Sequence, residues 1–387
     1  MAYASEITIF PQKLFFVEPS NPIAMTRVLV APLDWGLGHA TRCIPLIRHL
    51  LLRGVQVELA ADGAVAALLL QEFPQLPLHR LPGYGIRYGR YGLLWQLLQQ
   101  LPRILRCIGY ERRWLAQLLQ HQRFDAVISD NRPGLHHPAL PCVYITHQLR
   151  ICSGLGPWAD SCLQRLHARY MRPFTRVWVP DAANPPFLAG TLSHPPGYSL
   201  PVQYLGPLSR FVAPASPAPK PAYELLCLLS GPEPQRSLLE ERIVAQLHQL
   251  QGAVLLVRGL PGNHPPLQQL PPHVTAHNHL PAEALQQAII QSRRVLCRSG
   301  YTSVMDLLRC NKVAVLVPTP GQTEQQYLAR WLQQQQFFAF VQQEHLQLSE
   351  VKARCDGFKR RSLSPAAFEQ FTAIVDDFLQ QLPAAAP

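Results

Sequence analysis

Two glycine-punctuated turns carry the side chains best suited to chemistry. In the first, Asp34-Trp35-Gly36-Leu37-Gly38-His39, a histidine stands at a helix entry and Arg42 follows one turn inside. A histidine there can take a proton from a group bound at the loop, or hydrogen-bond to it; a tight turn with His39 as a local cap is the plainer reading. In the second, Cys297-Arg298-Ser299-Gly300-Tyr301-Thr302, the amides of Ser299 and Gly300 can meet an anion where a helix opens. Asp306 follows on that helix, where one carboxylate can accept two hydrogen bonds from a ribose diol. The pattern Ser303-x-x-Asp306 also reads as a capping box. A third segment sets Gln325 and Gln326 at a helix start after Val317-Pro318, and their amides would suit a polyhydroxylated ligand. The run Gln333 to Gln336 shows that this region is rich in glutamine anyway. The first turn completes neither a dinucleotide fingerprint nor a Walker loop.

Such turns need strands before them and helices after them, and the chain supplies both. Apolar runs predict strands at 27–31, 55–59, 125–129, 142–146 and 176–179, with helices over 40–53 and 64–73. Residues 206–222 contain five prolines and read as an interdomain linker. The alternation then restarts, with strands at 225–229, 253–257, 295–297 and 313–317. Helices are expected over 236–250, 282–290, 302–309, 323–336 and 365–382. Alternating strands and helices imply parallel sheets covered on both faces, with ligands at the carboxyl ends of the strands.

With 387 residues the chain can form two domains of ordinary size. No apolar run is long enough to span a membrane. Nine scattered cysteines without a C-x-x-C pair favour free thiols in a reducing compartment over disulfides or a metal site. Residues 1–24 lack the build of a secretory signal and read as a disordered leader or an over-extended translation start.

A formal charge of +11 predicts an anionic partner. The densest basic stretch runs from 83 to 114. It carries Arg87, Arg90, Arg103, Arg106, Arg112 and Arg113 interleaved with aromatics that include Trp95 and Trp114, around a leucine stripe. This composition describes a helix at an anionic membrane surface. Core leucines with a solvated arginine rim are the alternative. A nucleic-acid groove would not need the leucines, so no nucleic-acid partner is expected.

The turn Gly36-x-Gly38-His39-x-x-Arg42 after an N-terminal strand resembles the glycine loop of glycosyltransferase family 28. The block Arg298-Ser299-Gly300 through Ser303 and Asp306, with Val317-Pro318 and Gln325-Gln326-Tyr327, is similar in order and spacing to the donor half of the MurG-type enzymes. The resemblance covers roughly residues 26–345. It implies the GT-B fold, two doubly wound Rossmann-like domains facing each other across a cleft. An acceptor-side domain at 25–205 and a donor domain at 223–345 follow, then a C-terminal helix and tail at 346–387. It further implies an inverting, metal-independent transfer from a UDP-sugar, the co-substrate, with no other cofactor, to a lipid-linked or cell-envelope acceptor. It places Asp306 on the ribose, Ser299 and Gly300 at the diphosphate, and Gln325 and Gln326 on the donor sugar. His279-Leu280-Pro281 falls where the family reads the base. The basic stretch falls on its membrane side, so a cytoplasmic protein peripheral on the inner face of the membrane is expected.

The chain departs from the family at both glycine loops. The first becomes Asp34-Trp35-Gly36-Leu37-Gly38, which leaves the acceptor open. The second becomes Ser230-Gly231-Pro232-Glu233-Pro234-Gln235-Arg236, whose prolines remove amide donors and leave Ser230, Gly231 and Arg236 to meet the diphosphate. His39 is the expected base, Asp34 the second choice, and Asp130 and His147 are further cleft candidates that structural hydrogen bonding would equally explain. A nucleotide-sugar epimerase and a non-catalytic, membrane-associated sugar-nucleotide-binding protein are the alternative functions.

Overall fold

The computed structural model describes residues 26–85, 93–151, 156–198, 200–214, 220–262 and 264–383, with backbone alone at 93–99 and 157. The expected leader 1–24, Arg87, Arg90 and the side chain of Trp95 lie outside what is described.

The first domain is built on β1 (Arg27–Pro32), β2 (Gln56–Ala61), β3 (Leu78–Arg80), β4 (Ala126–Asp130), β5 (Cys142–Ile145), β6 (Arg176–Val179) and β7 (Gln203–Tyr204). Its helices are α1 (Leu37–Leu52), α2 (Gly63–Glu72), α3 (Leu93–His121) and α4 (Pro157–Met171). All seven strands run parallel, in the order β3-β2-β1-β4-β5-β6-β7. The second domain holds β8 (Tyr223–Leu228), β9 (Val254–Val257), β10 (Val274–His277), β11 (Ser292–Cys297), β12 (Ala314–Leu316) and β13 (Ala339–Phe340). Its helices are α5 (Gln235–Val244), α6 (Ala282–Ile290), α7 (Tyr301–Arg309), α8 (Thr323–Gln334) and α9 (Leu348–Asp356). That sheet is also parallel, in the order β10-β9-β8-β11-β12-β13. The central strands β1, β4, β8 and β11 each carry a buried apolar run, such as Val28 to Ala31 and Val295 to Cys297, because helices cover both faces. Strand order reverses between β1 and β4 in one sheet and between β8 and β11 in the other, and each reversal opens a crevice at the strands' carboxyl ends.

The domain boundaries differ from those expected at the C-terminus. Helix α9 buries Leu348, Val351 and Cys355 in the second domain. The chain then passes through a 3-10 turn at 365–369 into α10 (Gln370–Gln380), which crosses back to the first domain. There Phe371, Val375, Phe378 and Leu379 join the core around α1, with Phe378 set edge-on against Trp178 at 5.4 Å. The expected linker is anchored at its start, since Leu208 belongs to the first core and Phe211 to the second. A further strap comes from the first domain: Leu188, Ala189 and Leu192 sit in the second domain's core. Trp331 Nε1 donates to Phe187 O at 2.8 Å beside them.

Truncating Phe378 should therefore act on both domains' relationship as well as on the core. Phe378→Ala is expected to cost about 3–5 kcal/mol in denaturant unfolding, with a visible loss of helix contacts at α1 by hydrogen exchange.

Candidate active site

The register of β1 against β4 pairs Pro32 with Asp130, so the last residue of β4 stands beside the turn that enters α1. Asp130 is fully buried, and its charge must be met locally. Arg42, buried on α1, grips it with two nitrogens, Nε to Oδ2 at 2.5 Å and Nη2 to Oδ1. His39 Nδ1 lies 2.9 Å from Asp130 Oδ1 and 2.8 Å from Arg42 Nη2. A lone pair on Nδ1 would face the carboxylate, whereas an Nδ1–H donates to it while Nη2 turns its own proton to the same oxygen. The Nδ1–H tautomer follows, which leaves Nε2 as a basic lone pair with no hydrogen-bond partner among the described residues.

Burial would raise the Asp130 carboxyl, but Arg42 and His39 hold it well below the usual range. Burial and the Arg42 charge lower His39 below its ordinary value, against the opposing pull of Asp130. The imidazole is thus neutral at physiological pH, as a proton acceptor must be.

The network crosses to the second domain. Arg42 Nη1 meets His147 Nδ1 at 2.8 Å, and His147 Nε2 meets Glu324 Oε1, at the start of α8, at 2.8 Å. Burial alone would raise Glu324, yet His147 holds it low. The His147 ring stacks on Tyr301 at 4.2 Å. Beside it the two glycine turns touch: Thr302 Oγ1 donates to Gly38 O at 3.2 Å. A Cβ on Gly38 would come within 2.9 Å of that hydroxyl, so a larger residue there would push the Thr302 side chain off the Gly38 carbonyl. Gly36, at φ +94°, caps α1 in a conformation that favours glycine.

Several expected site residues have other partners. The Asp34 carboxylate accepts from the amides of Tyr84 at 3.0 Å and Gly85 at 3.5 Å, so it shapes the 83–85 loop. Asp306 is buried and accepts from Ser209 Oγ at 2.6 Å, with Arg210 Nε at 3.4 Å from its other oxygen. It ties the linker to α7, and neither the free ribose acceptor nor the capping box expected of it is formed. Arg236 is neutralised by Glu233 at 2.5 Å and by Glu240, which removes it as a free partner for a diphosphate. Gln325 Oε1 accepts from Thr319 N and Oγ1, both at 3.0 Å, and its Nε2 donates to Gln322 at 2.6 Å. It holds the 319–322 turn, while Gln326 lines a small hollow with Pro318 and Arg330. The Ser299 hydroxyl donates to Gln325 O at 2.9 Å, and Gly300 caps α7 with Ser303 in its first turn. His279 follows β10 and feels the Arg210 charge, with burial the larger cause of its lowered pKa; Leu280 packs on the second core.

Among the described residues, the buried cation that stands free of any carboxylate is Arg298. It is 1% exposed, and its guanidinium meets only carbonyls: Gln235 O at 2.6 Å, Pro318 O at 3.3 Å and Val317 O at 3.4 Å. Its Nε has no partner, and among the described residues no carboxylate forms an ion pair with it. Burial lowers it to about 10, so it keeps its charge. Gly231, at φ +103°, lies just above: a Cβ there would be 3.6 Å from Thr319 Oγ1 and 4.0 Å from Arg298 Nε. An uncompensated buried guanidinium under a glycine turn is a seat for an anion.

In the first domain a cavity of about 220 Å³ opens between α3 and α4 at the carboxyl ends of β1, β4 and β5. Leu101, Leu105 and Leu166 on its walls are exposed, and Arg103 and Arg106 are exposed on α3 beside it. Trp114 turns inward instead, edge-on to His79 at 6.3 Å, and is removed from the expected membrane patch.

Residues 240–381 match the sequence profile of the glycosyltransferase family 28 C-terminal domain. No curated protein matches the chain. Solved structures of similar shape include the glycosyltransferase of kitacinnamycin, at TM-score 0.65 and 15% identity over 92% of this chain and 99% of that one. The spinosyn rhamnosyltransferase SpnG complexed with thymidine diphosphate aligns at 0.58 and 18%, over 92% and 97%. MurG of Acinetobacter baumannii aligns at 0.54 and 18%, over 92% and 100%. The chain has the GT-B fold, and its residues 240–381 carry the glycosyltransferase family 28 C-terminal domain.

In this glycosyltransferase, sequence reasoning missed Arg298 and Glu324. Glu233 and Glu240, three before and four after Arg236, were the available signal that Arg236 is paired.

The contact between the turns predicts coupling. Gly38→Ala should destabilise the enzyme by about 1–3 kcal/mol, and Thr302→Ala in the same chain should recover part of that loss in a double-mutant cycle. Additive costs would show that the two turns are independent.

Proposed function

We propose that this glycosyltransferase moves a sugar from a nucleoside diphosphate sugar, with UDP as the favoured nucleotide, to a hydroxyl of an apolar acceptor. The observation that carries the reading is the His39–Asp130 pair, with Nε2 unpartnered, placed across the domain interface from a buried arginine that lacks a counter-ion.

The chemistry follows from the leaving group. As the glycosidic bond to the diphosphate breaks, negative charge grows on the phosphate oxygens, and Arg298 with the amides around Gly231 and Gly300 stabilises it. This assigns to protein groups the work that a metal would otherwise do. His39 Nε2 takes the proton of the acceptor hydroxyl as its oxygen attacks the anomeric carbon from the opposite face, which inverts the configuration. Asp130 fixes the imidazole and stabilises the imidazolium, and Arg42 keeps Asp130 ionised. SpnG is described in complex with thymidine diphosphate, so the choice between uracil and thymine bases is part of the test.

The acceptor is a lipid-like molecule whose apolar body enters between α3 and α4. The exposed leucines and arginines of α3 would rest on an anionic inner membrane face. No helix among the described residues is long and apolar enough to cross a membrane, which fits peripheral attachment.

His39→Ala should lower kcat by about 10²–10⁴ and leave the nucleotide Kd within a factor of two or so. Because His39 titrates below 6.5, the wild-type rate should fall only as pH drops through that lowered value and stay level above it. Unchanged turnover in the variant, measured as nucleotide release with product analysis, would sink the assignment. Arg298→Gln should weaken UDP by about 10–100-fold and leave uridine unaffected, by calorimetry. Equal losses for both would place the guanidinium away from the phosphates.

A further inference from the structure

The hydrogen-bonded chain that orients His39 runs on past Asp130 and Arg42 into the second domain. Arg42 Nη1 can only donate, so His147 Nδ1, at 2.8 Å, is the acceptor. The ring hydrogen of His147 is then on Nε2, which donates to Glu324 Oε1 at 2.8 Å. His147 stands just past β5 of the first domain and Glu324 in the first turn of α8 of the second, so the chain is complete only while the domains touch. In order its members are Glu324, His147, Arg42, Asp130 and His39.

The charges along this chain do not cancel. Asp130 and Arg42 are buried and neutralise each other, His39 and the singly protonated His147 are uncharged, and the Glu324 carboxylate is left in excess. The remaining titratable groups packed on the chain, Cys43 on α1 and Tyr301 on α7, are kept protonated by burial. A proton taken up by His39 adds a positive charge to this interior. Without Glu324 nothing would balance that charge; with it, the cluster passes from net negative to neutral. The influence runs both ways, since burial pushes Glu324 up but the charges of His147, His39 and Arg42 outweigh it and hold it low. The Glu324 side chain is 33% exposed, so water screens part of the effect.

We infer that Glu324 and His147 are positioning residues through which the second domain sets the proton affinity of His39, so that the base reaches working strength only when the domains are in contact. In the step they support, the acceptor hydroxyl gives its proton to His39 Nε2 as its oxygen bonds to the anomeric carbon. The bond from that carbon to the diphosphate oxygen breaks, and its electron pair leaves with the nucleoside diphosphate. Glu324 and His147 neither gain nor lose a proton. The role in transfer rests on His39 as the base, whereas the coupling between Glu324 and His39 does not.

The test is Glu324→Gln in the full chain. Glutamine keeps an oxygen that accepts from His147 Nε2 and removes only the charge, so the hydrogen-bonded chain stays formed. Nitrogen-15 NMR of the His39 ring should show its proton affinity falling about tenfold, with the titration midpoint lower by about one pH unit. Nucleotide release is followed with whichever of UDP-glucose and UDP-N-acetylglucosamine the wild type turns over. Its high-pH plateau should drop about threefold, and its acid limb should move to lower pH with the base. A role in packing alone would lower the plateau and leave the limb where it was. UDP affinity by calorimetry should be the same in both proteins and reports their folding. An unmoved His39 midpoint overturns the inference, and so does weakened UDP-glucose binding beside unchanged UDP binding, which would make Glu324 a ligand of the donor sugar. A lowered midpoint beside an unmoved acid limb would instead overturn His39 as the base and leave the coupling standing.

Discussion

A buried carboxylate with no water to solvate it is the constraint around which the first domain's crevice is organised. Asp130 ends a central strand, so the sheet fixes it in place, and its charge survives there only because Arg42 closes on it with two nitrogens. Removing either partner would leave the other charge unmet in the interior, at a cost of about 3–5 kcal/mol. The low carboxyl pKa carries its own sign: this part of the stability is present above the ordinary carboxylate range and is lost only as pH falls far below neutrality. His39 takes its orientation and tautomer from the same carboxylate, so structure and reactivity share one anion.

The second domain contains the opposite arrangement. Glu240 receives both Arg236 and Arg258, and charge there is balanced within the protein. Arg298, at the end of β11, is left with carbonyls alone. An imbalance of this kind is stable when the protein's dipoles soften it and useful when an anionic ligand completes it. The domains are held in register by the Thr302–Gly38 contact, the His147–Glu324 hydrogen bond, the strap at 188–192 and the return of α10, among other contacts. They set the turn that carries His39 against the turn that follows Arg298.

The alternation of buried strands and amphipathic helices was readable, because parallel strands covered on both faces are apolar runs. The short edge strands β3, β7, β10 and β13 were not, since two to four residues carry no period. Helix α4 lacked the clean stripe that marked α3. Within the site, His39 could be read from its turn, but Asp130 and His147 gain meaning only from the register of β4 and β5 beside β1. Asp306 looked like a free ligand group because its partners, Ser209 and Arg210, lie almost a hundred residues away in what reads as a linker. The glutamines at 325 and 326 were legible as a helix start, whereas helix phase decides that Glu324, with Tyr327 and Trp331, reaches the first domain.

The tautomer of His39 is where the account is most exposed. Nitrogen-15 NMR of the full chain, with the ring signals assigned through a His39→Gln variant, reads it directly. The account requires a neutral ring with the proton on Nδ1, titrating below 6.5, with Nε2 unprotonated at neutral pH. A proton on Nε2 at neutral pH would mean that Nδ1 accepts from Arg42, and His39 would then have no lone pair to offer an acceptor hydroxyl.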